Sequence, residues 1–83
     1  MGELSAVYVH PRTWDAGAGK ELMLGAQREL RGMGYRQAVL WVLETNERAR
    51  NFYAKGGWSP DGAVKTERRG DVGLHEVRYR TAL

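Results

Sequence analysis

No cysteine occurs among the 83 residues, which excludes disulfide bonds, a thiolate nucleophile and any metal site built on thiolate ligands. Histidine is nearly as scarce. His10 and His75 stand far apart, and neither has an acidic cluster of ligand spacing beside it, so no bound metal is expected. No apolar run approaches the length of a membrane span, and the N-terminus lacks a basic n-region followed by an apolar h-region. Met1-Gly2 does not open a myristoylation signal, because Ala6 stands where Ser or Thr is required. A cytoplasmic location, with no membrane partner, is the expectation.

A concentration of charge of one sign is also missing. The net charge of +3 comes from Lys and Arg scattered along the chain with Asp and Glu among them. Arg68-Arg69 and Arg78-x-Arg80 could form a basic patch on adjacent strands, but exposed strand edges carry such residues to block aggregation. A nucleic-acid partner is therefore not favoured, and an anionic small ligand accounts equally well for a mild basic bias.

What remains is the composition of a folded protein: 42% hydrophobic and 28% charged residues, with three Trp and four Tyr. At this length residues 1–83 make one domain at most, with a thin core. Glu3 to Val9 reads as a strand ended by Pro11, which cannot donate to a ladder. Leu22, Ala26, Leu30 and Met33 then recur at helical spacing, and Gly34 is placed to close that helix as its C′ residue. Gln37 to Leu43 is a short apolar run of the kind buried on both faces of a sheet, so strand, helix and strand imply a right-handed parallel crossover.

Asn46 stands at the N-cap of a second helix that runs to Lys55, with Ala49, Phe52 and Tyr53 on or beside one face, and Gly56-Gly57 stops it. Trp58 to Thr66 and Leu74 to Thr81 flank the turn-rich stretch 69–73, which reads as a hairpin. The order is βαβαββ and the class is α/β.

Two landmarks in this order carry chemistry. Thr13-Trp14-Asp15-Ala16-Gly17-Ala18-Gly19-Lys20 follows a strand and opens a helix, where free backbone N–H groups favour phosphate oxygens. Glycines at a helix start also occur for steric reasons alone. About thirty residues on comes Asn46-Glu47-Arg48-Ala49-Arg50-Asn51-Phe52-Tyr53, completed by Gly57-Trp58.

Together these blocks resemble the GNAT family of acetyl-CoA-dependent N-acetyltransferases, and the resemblance extends over essentially the whole chain. It implies an acyl-CoA N-acyltransferase fold with a mixed sheet, represented here by its second half and lacking the first strands and helices that form much of the acceptor pocket. The family's pyrophosphate loop has the pattern Gln/Arg-x-x-Gly-x-Gly/Ala. Here Trp14 takes the first place and Gly17 and Gly19 the glycine places. Ala16 stands where many members carry a basic residue, which weakens phosphate binding without abolishing it, since backbone N–H groups do most of the work. Asp15 places a carboxylate near pyrophosphate, and Lys20 can offset it.

By the same resemblance, the cofactor-binding residues are Val7, Tyr8 and Val9, whose strand backbone meets the pantetheine arm, then Asp15, Ala16, Gly17, Ala18, Gly19 and Lys20 at the phosphates, and Asn46. Asn46 has a second role as helix cap. Tyr53 matches the family tyrosine near the sulfur of CoA, where its hydroxyl protonates the leaving thiolate; the other reading is a packed aromatic. A strand N–H at Val7 or Tyr8 is placed to stabilise the oxyanion. Glu3 is the candidate base, on the strand where many relatives carry a Glu, against the reading of an exposed residue near the terminus. Trp41 occupies a place used for a basic carboxylate in some protein-acetylating members.

The implied reaction moves an acetyl group from acetyl-CoA to a primary amine by direct attack, with no covalent enzyme intermediate and no metal. A different class of function is a catalytically silent acyl-CoA-binding or dimerisation module that lacks an acceptor site. A first strand without its usual neighbour exposes an edge, so a homodimer formed through that strand is expected, or else the chain is a fragment of a longer protein.

Overall fold

The computed structural model describes residues 6–9 and 19–83. Its elements run β1 (Ala6–Tyr8), α1 (Gly19–Gly32), β2 (Gln37–Leu43), α2 (Glu47–Lys55), β3 (Ser59–Arg69) and β4 (Val72–Ala82). This is the expected βαβαββ order. The strands form one mixed sheet in the order β1-β2-β4-β3, with β1 parallel to β2 and β3 antiparallel to β4. Contacts divide the chain into two units, one of residues 1–40 with 81–83 and one of residues 41–80.

In the first unit, Ala6 pairs with Gln37, Val7 with Ala38 and Tyr8 with Val39, and the Val9 N–H donates to the Val39 carbonyl at 2.9 Å. Parallel strands require a crossover, which α1 supplies. Ala38, Val39 and Leu40 are all at most 1% exposed, so β2 is buried on both faces here, as its unbroken apolar run demands. Leu83 N–H closes on the Arg36 carbonyl at 2.9 Å.

The buried stripe of α1 is rotated from the one its periodicity suggests. Gly19 and Met23 are buried and Ala26 and Leu30 half-buried, whereas Leu22 is 45% and Met33 69% exposed. Successive residues on a helix are rotated by about 100°. Ala26 and Leu30 fit both stripes, and Met23, one residue beyond Leu22, takes the buried place. Met33 lies beyond the last helical residue.

Both helices end in a Schellman motif. At α1 the Gly34 N–H donates to the Arg31 carbonyl at 3.0 Å and the Tyr35 N–H to the Leu30 carbonyl at 3.1 Å. At α2 the Gly57 N–H donates to Ala54 at 3.1 Å and the Trp58 N–H to Tyr53 at 3.0 Å. The C′ residues, Gly34 and Gly57, have φ of 99° and 95°, a conformation that costs glycine nothing and an L side chain a good deal.

In the second unit, α2 is capped by Asn46, whose Oδ1 accepts from the Ala49 N–H at 3.1 Å. Tyr53 (4% exposed) packs its ring 6.3 Å from Trp58 and 6.2 Å from Tyr79, both also buried, and 5.7 Å from Phe52. Trp58 is at once the residue that terminates α2 and a wall of this cluster. The β3–β4 ladder reaches Arg69↔Val72, so the hairpin turns on Gly70-Asp71 alone and both strands extend further than expected. Toward the other end, Pro60 pairs with Tyr79 and Val64 with Val77, and Asp61, Gly62 and Ala63 between them stand opposite Arg78 in a β-bulge.

The basic patch considered from the sequence does not form in this unit. Arg68 lies opposite Gly73 by the turn, whereas Arg80 lies opposite Ser59 at the far end. Arg78 and Arg80 are both held by the Asp61 carboxylate, at 2.7 Å and 3.1 Å.

Candidate functional site

Of the residues singled out by the sequence, Val7, Tyr8, Val9, Gly19 and Lys20 belong to the first unit, and Asn46 and Tyr53 to the second. Glu3, Asp15, Ala16, Gly17 and Ala18 lie outside the described residues. No group of three or more metal-ligating side chains occurs among the described residues.

In the first unit, β1 leads toward the glycine-rich stretch and α1 opens at Gly19, which is buried, with Lys20 exposed beside it. A helix of 14 residues concentrates partial positive charge at this end. Glu21 in the first turn and Arg31 in the last complement that dipole. The Val9 N–H is engaged by Val39, so as an amide donor for a ligand Val9 is already committed.

In the second unit, the side-chain oxygen of Asn46 is spent on the cap of α2, leaving its NH2 group outside that bond. Tyr53 is a packed aromatic, wedged among Phe52, Trp58 and Tyr79. Phe52 and Tyr53 are adjacent on α2, yet only Tyr53 is fully buried, because it faces Tyr79 on β4.

Arg50 escaped the sequence reading. Its Nε donates to the Tyr79 hydroxyl at 3.0 Å and its Nη1 to the Glu44 carbonyl at 2.8 Å. The Tyr79 hydroxyl, first by this hydrogen bond and then by its charge, pushes the Arg50 pKa above its already high ordinary value. Twenty-nine residues separate the pair in sequence, so no local pattern announces it.

Asp61 is the other unforeseen centre. Burial raises the pKa of its carboxyl, but the Ala63 N–H at 3.1 Å and the two arginines outweigh that and hold it below the usual carboxylate value. The bulge makes the arrangement possible, since it brings Asp61 level with Arg78.

Trp41 also gains a definite setting. On the sheet face opposite the one that packs on Tyr53, the Lys65 ammonium sits 4.6 Å and the Arg78 guanidinium carbon 5.9 Å from its ring centroid.

A parallel β1–α1–β2 crossover with glycine at the helix start, followed by an Asn-capped helix and a hairpin, makes an α/β fold with a four-stranded mixed sheet. Residues 1–58 match the Acetyltransferase (GNAT) family, and the chain belongs to that family. Among solved structures, nourseothricin acetyltransferase superposes with a TM-score of 0.76 at 21% identity, covering 99% of this chain and 52% of its own. A Vibrio cholerae spermidine N-acetyltransferase chimera gives a TM-score of 0.72 at 19% identity, over 87% of this chain and 44% of its own. A Bacillus subtilis acetyltransferase in complex with CoA gives 0.65 at 18% identity, over 83% of this chain and 52% of its own. The chain thus spans about half the length of these structures. No curated protein sequence matches it.

Proposed function

We propose that this chain is the acetyl-CoA-binding half of an N-acetyltransferase that passes the acetyl group to a primary amine by direct attack. Family membership over residues 1–58 is the observation that carries the reading. The pyrophosphate lies against the loop of Asp15, Ala16, Gly17 and Ala18 and the start of α1 at Gly19 and Lys20. The pantetheine arm runs along Val7, Tyr8 and Val9 and meets the Asn46 amide. The attacking amine forms a C–N bond to the thioester carbonyl carbon, the oxyanion is met by a β1 amide at Val7 or Tyr8, and the C–S bond breaks. Tyr53 gives its proton to the departing thiolate, and Glu3 accepts one from the amine.

A homodimer formed along β1 belongs to the same reading, and the position of β1 at the sheet edge supports it. The silent acyl-CoA-binding or dimerisation module is the second reading, favoured by one observation: Tyr53 is 4% exposed and packed among Phe52, Trp58 and Tyr79. Calorimetric titration of acetyl-CoA into the 83-residue protein, with dephospho-CoA for comparison, tests the donor site. Saturable binding is expected, weaker for dephospho-CoA. A folded protein that binds neither overturns both readings, and binding without turnover of any primary amine leaves the silent module.

A further inference from the structure

In the second unit, Asn46 caps α2, Arg50 follows one turn on and Tyr53 three residues after that, so the three lie along one side of the helix. Asn46 and Tyr53 carry roles in the acetyl-transfer reading, and Arg50 stands between them. Its guanidinium is spent on neutral partners: Nε donates to the Tyr79 hydroxyl at 3.0 Å and Nη1 to the Glu44 carbonyl at 2.8 Å. Glu47, three positions before it on α2, is within reach of an ion pair, yet no carboxylate pairs with Arg50 among the described residues. The planar fork serves orientation in place of charge.

Both partners are themselves fixed. Glu44, whose carbonyl Arg50 holds, donates its own N–H to the His75 carbonyl on β4 at 2.9 Å, so Arg50 is anchored at the turn that leads into Asn46. From that anchor it takes Tyr79 by the hydroxyl, with its carbon 6.0 Å from the ring centroid, and so sets the tilt of the ring. Tyr79 in turn lies 6.2 Å from the Tyr53 ring at an angle of 60°, with both residues buried. Close-packed rings cannot turn independently, and Phe52 and Trp58 close on Tyr53 from other sides at 5.7 Å and 6.3 Å. The orientation of Tyr53 therefore depends on a guanidinium that lies outside its ring cluster.

We propose that Arg50 is a positioning residue for acetyl transfer: acting through Tyr79, it fixes the ring of Tyr53 and with it the point from which the Tyr53 hydroxyl delivers its proton. This rests on the acetyl-transfer reading with Tyr53 as the acid. The proton moves from the Tyr53 oxygen to the sulfur as the C–S bond breaks, and Arg50 gives up none, since a guanidinium stays charged throughout. The hydroxyl sits at the far end of its ring, so a small tilt is magnified there, and a misplacement of about 1 Å can cost about 100-fold in rate.

The test is a kinetic double-mutant cycle between Arg50 and Tyr53, with acetyl-CoA and n-butylamine as substrates, at a temperature where circular dichroism shows every variant folded. Arg50→Met is expected to lower kcat about tenfold in the parent and not at all in Tyr53→Phe, with the KM for acetyl-CoA unchanged in both. Tyr79→Phe and Arg50→Lys are expected to reproduce the loss. A contact that serves stability alone leaves the kcat of the folded protein unmoved, and that result, or an equal loss in both backgrounds, overturns the proposal. A second readout needs no turnover: in protein labelled with 13C at the tyrosine Cζ, assigned through Tyr53→Phe, Arg50→Met is expected to move the Tyr53 resonance. A Tyr53 resonance that stays in place overturns the positioning role. A moved resonance in a parent that acetylates no amine sinks the acetyl-transfer reading alone.

Discussion

Arg50 on α2 donates its Nε to the hydroxyl of Tyr79 on β4 at 3.0 Å, while its Nη1 reaches the carbonyl of Glu44 at 2.8 Å. One guanidinium thereby ties the second helix to the strand beneath it and to the turn that precedes it, with its carbon 6.0 Å from the Tyr79 ring centroid. Tyr79 is 4% exposed, so its hydroxyl has few water molecules to fall back on.

Arg50→Met and Tyr79→Phe are each expected to lower the urea midpoint of unfolding, and the double variant to lose less than the sum of the two. A double-mutant cycle with no coupling would remove this contact from the account of the fold. Arg50→Lys is expected to behave like Arg50→Met, because an ammonium cannot reach two acceptors in the planar fork that a guanidinium offers.

Asp61 sets a pH dependence. Its carboxyl has a lower pKa folded than unfolded, because the Ala63 amide and the Arg78 and Arg80 guanidinium groups stabilise the anion. The unfolded chain therefore binds that proton first as the pH falls. The stabilisation is present in full above the unfolded carboxyl value and disappears as pH drops through the folded value. Asp61→Asn is expected to lower stability at neutral pH and to flatten its decline in acid, read from unfolding midpoints between about pH 3 and pH 7. Parallel curves for parent and variant would refute the assignment.

Asn46 has a capping role in the structure and a pantetheine role in the proposal, and one pair of variants separates them. Asn46→Ala removes the Oδ1 that accepts from Ala49 and is expected to cost about 1 kcal/mol of stability. Asn46→Ser keeps a capping oxygen but loses the amide NH2, so stability should stay near the parent while acetyl-CoA affinity falls. If Asn46→Ser binds acetyl-CoA like the parent, Asn46 is a cap and nothing more.

Tyr53→Phe keeps the ring that packs against Phe52, Trp58 and Tyr79 and deletes only the hydroxyl. In an active enzyme, turnover is expected to fall by about 100-fold with little change in acetyl-CoA affinity. Unchanged turnover would make Tyr53 a core residue alone and leave the thiolate to take its proton from water.

The sequence alone determined the order of elements and the ends of both helices. Those features depend on residues within five positions of each other: Asn46 with Ala49, Gly34 with Arg31 and Tyr35 with Leu30, Gly57 with Ala54 and Trp58 with Tyr53. It also determined the family, because the Asn46-to-Trp58 block and the glycine-rich loop are local patterns. β2 was legible for the same reason: seven residues with no polar interruption after Gln37 have few folded settings other than a buried strand.

The tertiary structure decided which large residue of α1 is buried, Met23 in place of Leu22, since periodicity leaves a rotation of one residue open. It decided that the arginines of β4 answer to Asp61, because a bulge in β3 changes which residue stands opposite Arg78. It also brought Arg50 to Tyr79 and Lys65 to Trp41, pairs 29 and 24 residues apart in sequence. No window of sequence contains such contacts, for strand register and helix placement create them, and each depends on the packing of the whole unit.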